Sequence, residues 1–151
     1  MSDVYILDAC SLIALLTNED GADVVKKLLQ RAIDGDIKVL MHKVNFLEVY
    51  YDTYKAYGEE KALKLLEDIK ITPIEMNAEI TDDILIKAGR LKSLYKISLA
   101  DSIGLAETIV RNGNFVTADH HELEIVQEKE KINMIWIRAR QAKRVAGGTN
   151  E

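Results

Sequence analysis

The chain has 151 residues, 48% of them apolar and 30% charged, with a formal net charge of -5. That length allows one substantial hydrophobic core, and the acidic balance excludes a protein that holds nucleic acid mainly through bulk positive charge. The single cysteine excludes an internal disulfide and a thiolate zinc cluster and suits a reducing cytoplasm. No apolar run reaches the length of a membrane span, and Met1-Ser2-Asp3 lacks the basic region of a secretory signal.

Strand and helix signals alternate along the chain. Val4-Tyr5-Ile6-Leu7 is a short run of strand formers. Leu12 to Leu16 and Asp20 to Ile33 read as helix, the second with Val24, Leu28 and Ala32 at helical spacing, and Gly35 breaks it. Ile37 to Met41 predicts a second strand. Val44, Leu47, Tyr51 and Tyr54 mark one face of a helix ending near Gly58, and Ala62, Leu65, Leu66 and Ile69 mark the helix from Glu59 to Lys70. Ile71 to Ile74 predicts a third strand, which Pro73 assigns to a sheet edge.

The second half repeats the pattern. Ile80, Ile84, Ala88 and Leu91 mark one helix, and Ile97 to Val110 another, closed by Asn112-Gly113. Phe115 to Ala118 is strand-like, His121 to Lys131 helical, and Ile132 to Ile137 the last strand. From Arg138 the chain is basic, then Gly-rich, and is expected to fray. Strands separated by helices predict a parallel sheet covered on both faces. Ligands bind such sheets beyond the carboxyl ends of the strands, so acids at strand ends carry most weight.

Four acids stand out, each with an ordinary explanation. Asp8 and Asp119 follow strands directly, where either residue can simply cap the next helix. Glu122 three positions after Asp119 resembles the second half of a capping box, and Ser98 with Asp101 forms a similar arrangement. Gly104 and Ala100 would let a backbone, a metal or a phosphate approach the Asp101 helix. Glu48 lies among Val44, Leu47 and Tyr51, where a carboxylate facing a core is costly unless it is paired or metal-bound. Together the four need a cation to offset their repulsion. Hard oxygen donors point to Mg²⁺ or Mn²⁺.

Four stretches carry a resemblance. They are Tyr5-Ile6-Leu7-Asp8-Ala9-Cys10-Ser11-Leu12-Ile13-Ala14-Leu15-Leu16, Asn45-Phe46-Leu47-Glu48-Val49-Tyr50, Leu99-Ala100-Asp101-Ser102-Ile103-Gly104-Leu105-Ala106 and Val116-Thr117-Ala118-Asp119-His120-His121-Glu122-Leu123. In order and spacing they resemble the PIN-domain nucleases, and among these the small single-domain toxins of the VapC type. The resemblance implies a three-layer α/β/α sandwich on a parallel five-stranded sheet in the order 3-2-1-4-5. It implies a PIN-like domain over residues 1–140, with 141–151 as a flexible tail. It further implies a metal-dependent endoribonuclease, the toxin of a type II toxin-antitoxin pair, that forms a homodimer and is covered by an antitoxin. Asp8, Glu48, Asp101 and Asp119 take the positions of the family's catalytic and metal-binding acids.

The sequence departs from the family at Cys10, where many members carry Ser or Thr; Cys10 reads as a small buried residue, with Ser11 as a possible substitute partner. Lys43, Arg90, Lys92 and Lys96 are candidate guides for RNA. Two rival functions fit the same pattern: a catalytically silent PIN-fold module that binds RNA or protein, and a phospho-acceptor signalling domain. The second expects a lysine at the end of a late strand, where this chain has Arg138.

Overall fold

The computed structural model describes residues 3–140. Five strands, β1 (Asp3–Leu7), β2 (Ile37–His42), β3 (Ile74–Asn77), β4 (Asn114–Thr117) and β5 (Met134–Trp136), form one sheet. All pairings are parallel and the order is β3-β2-β1-β4-β5. Seven helices connect them: α1 (Ala9–Leu16), α2 (Ala22–Ile33), α3 (Lys43–Tyr57), α4 (Glu59–Ile69), α5 (Asp82–Leu94), α6 (Leu99–Arg111) and α7 (His120–Glu130).

Alternation along the strands divides the core into two layers, because successive side chains point to opposite faces. Leu7, Val39, Met41 and Val116 pack against Leu12, Val25, Leu28, Phe46, Val49 and Leu65 of α1 to α4. Their neighbours Ile6, Leu40, Phe115 and Met134 pack the other way, against Leu91, Leu105, Leu123 and Val126 of α5 to α7. The result is the expected three-layer sandwich.

Caps set the helix starts. Asp8, His42, Thr81, Ser98 and Asp119 each accept a backbone N–H from the first turn that follows. The third strand begins later than Ile71. The amides of Lys70, Ile71 and Thr72 bond to the carbonyls of Glu67, Asp68 and Ile69, so helical turns persist beyond α4, and Ile71 is 86% exposed. The Thr72 hydroxyl then bonds the Ile69 carbonyl (2.7 Å), and the strand starts only after Pro73. A β-branched run thus served a turn instead of a strand. The flexible tail expected over 141–151 lies outside the described residues.

Candidate metal centre

The pairing of β1 with β4 brings two of the acids to one edge of the sheet. Leu7 lies opposite Val116, and the next amide, Asp8 N–H, donates to the Val116 carbonyl (3.1 Å). Asp8 and Asp119 therefore leave adjacent central strands at the same end. Asp8 is 1% exposed. Its Oδ1 accepts the Ser11 N–H (2.8 Å), while the Ser11 hydroxyl donates to the Val116 carbonyl (2.8 Å). Ser11 thereby holds Asp8 through its amide and ties α1 to β4 through its hydroxyl. Cys10 is exposed, contrary to expectation, because the first turn of α1 directs Ser11 and Leu12 inward instead.

The other two acids come from helices that are tied together. The Ser98 hydroxyl caps α6 by accepting the Asp101 N–H (3.0 Å). One turn before Glu48, the buried Asn45 side chain donates to the Ala100 carbonyl (3.1 Å), which fixes the start of α3 against the start of α6. Asp119 donates its N–H to the Thr117 hydroxyl (3.0 Å), and its carboxylate accepts the Glu122 N–H (3.4 Å).

The acids converge around Asp101. Carboxylate oxygens of Asp101, Asp119 and Glu122 lie within 4.8 Å of one another. Burial pushes the Asp101 carboxyl up to about 7, and the negative charges of Asp8, Asp119 and Glu48 add to the rise. Burial also pushes Asp8 up to about 6, opposed by hydrogen bonds from Thr117 and Ser11. Glu48 is half-buried and raised by burial first, then by the neighbouring Asp52. It stands at the margin of the group. Although Cys10 reaches solvent, partial desolvation of its thiol and the charges of Asp8, Asp119 and Asp101 push it up to about 12, which removes it as a nucleophile.

Among the described residues, none of these five acids forms an ion pair with a lysine, arginine or histidine. An all-oxygen donor set in which Asp8, Glu48 and Asp101 are pushed upward, and which has no ion-pair partner among the described residues, suits a hard divalent cation.

Several sequence expectations change. The face of α3 marked by Leu47, Tyr51 and Tyr54 is exposed, at 56%, 45% and 44%; the buried stripe is Asn45, Phe46 and Val49. Glu48 borders the core from beside that stripe, and is not part of an apolar face. Beside Gly104 the close approach expected of a backbone, a metal or a phosphate is made by protein side chains. A Cβ there would lie 2.8 Å from the Phe115 ring and 3.2 Å from the Asn45 amide nitrogen. Glu122 was legible only as a capping partner, although the same three-residue spacing returns its carboxylate to Asp119. Arg90 is engaged by Glu130 (2.7 Å), and Lys43, Lys92 and Lys96 are exposed. Arg138, expected to fray, instead donates to the Asp20 carbonyl (3.1 Å).

A parallel three-layer α/β protein with a group of acids gathered beyond its two central strands is the class that fold and site define. The PIN domain matches residues 5–144, and the chain belongs to that family. Three solved structures share its fold. VapBC2 from Rickettsia felis, bound to a DNA fragment from its promoter, is 16% identical over 87% of this chain and 97% of its own, with a TM-score of 0.68. VapBC-1 from nontypeable Haemophilus influenzae is 16% identical over 89% and 98%, with a TM-score of 0.66. VapC20 from Mycobacterium tuberculosis, a toxin that cleaves the Sarcin-Ricin loop, is 14% identical over 74% and 86%, with a TM-score of 0.52.

Proposed function

We propose that the chain is a divalent-metal-dependent endoribonuclease and the toxin of a type II toxin-antitoxin pair, with Asp8, Glu48, Asp101 and Asp119 as its catalytic and metal-binding acids. The observation that carries the reading is the uncompensated carboxylate group at the carboxyl end of β1 and β4. When bound, Mg²⁺ or Mn²⁺ supplies positive charge that acidifies an attacking water and offsets the charge developing on a phosphate. Asp8, fixed by the Ser11 amide, and Asp101, fixed by the Ser98 cap, are the best-oriented donors. Asp119 and Glu48 complete the set, and Glu122 extends it. On this reading hydrolysis breaks the bond between phosphorus and the 3′ oxygen, leaving a 5′-phosphate and a 3′-hydroxyl.

RNA as the substrate is supported by the fold shared with VapC20, and an antitoxin partner by the toxin-antitoxin complexes among the structural neighbours. A homodimer belongs to the same reading. No helix among the described residues is long and apolar enough to cross a membrane, and the reading places the protein in the cytoplasm.

The test is to incubate structured and unstructured RNAs with the wild type and with Asp101→Asn, in Mn²⁺ or in EDTA. The wild type should cut in Mn²⁺ only, and Asp101→Asn should lose on the order of 100-fold in rate, as for removal of one charge-stabilising group. Cleavage that persists in EDTA, or in the variant at the wild-type rate, contradicts the metal mechanism. Failure to cut any RNA favours the silent binding module.

A further inference from the structure

The acids gathered around Asp101 repel a polyanion, so a strand approaching them needs cations close by. The segment that follows β5 carries two arginines, Arg138 and Arg140. The Ile137 N–H donates to the Thr117 carbonyl (3.0 Å), which carries the chain past the end of β4. The His120 ring stacks on Trp136, with centroids 4.1 Å apart and planes at 19°, and its Nε2 donates to the Arg138 carbonyl (2.8 Å). These contacts hold residues 138–140 against the first turn of α7. Between them lies a pocket of about 210 Å³ whose walls include Ala118, Asp119, His121, Arg138, Ala139 and Arg140.

Asp119 thus belongs both to this pocket and to the acidic centre. Arg138 is 22% exposed at its side chain. Among the described residues its Nη1 alone is engaged, by the Asp20 carbonyl (3.1 Å) and, at 3.5 Å, by Glu19. A guanidinium has five N–H donors, and those on Nε and Nη2 have no protein acceptor among the described residues. The Arg138 charge also reaches Cys10, which feels it together with Asp8, Asp119 and Asp101. Arg140 pairs with Glu124 (3.3 Å) yet remains 61% exposed. Two arginines and a histidine face a pocket at a helix start, where the backbone also favours an anion.

We propose that this pocket binds a phosphate of the substrate strand beside the scissile one, with Arg138 as its principal donor and Arg140 and His121 at its rim. The inference rests on the nuclease reading and names how that site grips its substrate. Arg138 is a binding residue, tethered to the loop before α2, and sets the distance between the strand and the acids.

The experiment measures fluorescence anisotropy of a labelled mixed-sequence oligoribonucleotide with the full chain in Ca²⁺ across a salt series. Mn²⁺-dependent cleavage is followed in parallel. Arg138→Gln should weaken binding about tenfold, the scale of one charge-assisted hydrogen-bonding group, and lower the salt slope by roughly 0.7. Arg138→Lys should restore the slope but only part of the affinity, because the planar fork is lost. Ala139→Glu leaves the Asp20 contact in place and should weaken binding as well, which covers the case in which Arg138→Gln misfolds. Lys70→Gln, paired with Glu67 ahead of β3, should bind as the wild type does. Equal binding by the wild type, Arg138→Gln and Ala139→Glu, or no binding by the wild type, overturns the pocket. Equal binding with intact Mn²⁺-dependent cleavage does so while leaving the nuclease reading standing. Arg138-dependent binding with no cleavage of any RNA supports the pocket and removes the nuclease reading instead.

Discussion

Asp8 carries the clearest energetic signature at the scale of single residues. Its carboxyl is fully buried and raised from 3.8 to about 6, chiefly by that burial. In the absence of a cation the folded state therefore holds this proton more tightly than the unfolded chain does. The stabilisation is complete below the unfolded value and is lost as pH rises through the folded one, so it disappears between about pH 4 and pH 6. The loss is on the order of 3 kcal/mol. Asn caps helices as well as Asp does and carries no charge. Asp8→Asn should therefore melt higher than the wild type in EDTA at about pH 7, with the gap closing toward about pH 4. Added Mn²⁺ should then raise the melting temperature of the wild type more than that of the variant. A gap independent of pH would mean that Asp8 is not strained by its burial.

At the scale of elements, the site depends on how α6 sits between α3 and β4. Ser98 caps it, Asn45 ties its start to α3, and Gly104 lets it lie against Phe115. Gly104→Ala places a Cβ 2.8 Å from the Phe115 ring, deep in the sandwich. Overpacking of this kind costs about 1–3 kcal/mol. The helix must move to relieve it, and Asp101 moves with it. The variant should be destabilised in denaturant melts and should bind Mn²⁺ more weakly in calorimetry. Unchanged Mn²⁺ affinity would uncouple α6 packing from the acidic centre. Ser98 and Asp119 were readable as caps because capping is a local rule. The α3 face was misread because Leu47, Tyr51 and Tyr54 recur at helical spacing and yet face solvent. Periodicity identifies an apolar face but not what covers it.

For the whole molecule, exposed apolar surface bears on assembly. The groove between α1, α3 and α4 has a volume of about 630 Å³ and is lined by Ile13, Leu16, Val49, Tyr57 and Leu65 together with Asp52, Lys61 and Lys64. Leu85 and Ile86 on α5 are also exposed, at 59% and 64%. Isolated apolar residues on a surface are ordinary, but contiguous ones mark contact sites. Sedimentation equilibrium should give twice the chain mass of 17.0 kDa. A single-chain mass at every concentration would remove the homodimer from the proposed function.

The sequence by itself determined the alternation of strands and helices and, through its family-like motifs, the sheet order, and it singled out the four acids proposed as the site. These rest on local rules: strand period, helix caps, and the tendency of acids after strands to gather at one edge of a parallel sheet. Only the tertiary structure decided which of those acids share a cleft. It brought Glu122 back to Asp119, left Glu48 at the margin, filled the space beside Gly104 with Phe115, and fixed Arg138 against the loop before α2. Each outcome depends on distances between segments far apart in the chain, set by strand register and helix packing, and no window of neighbouring residues carries that information.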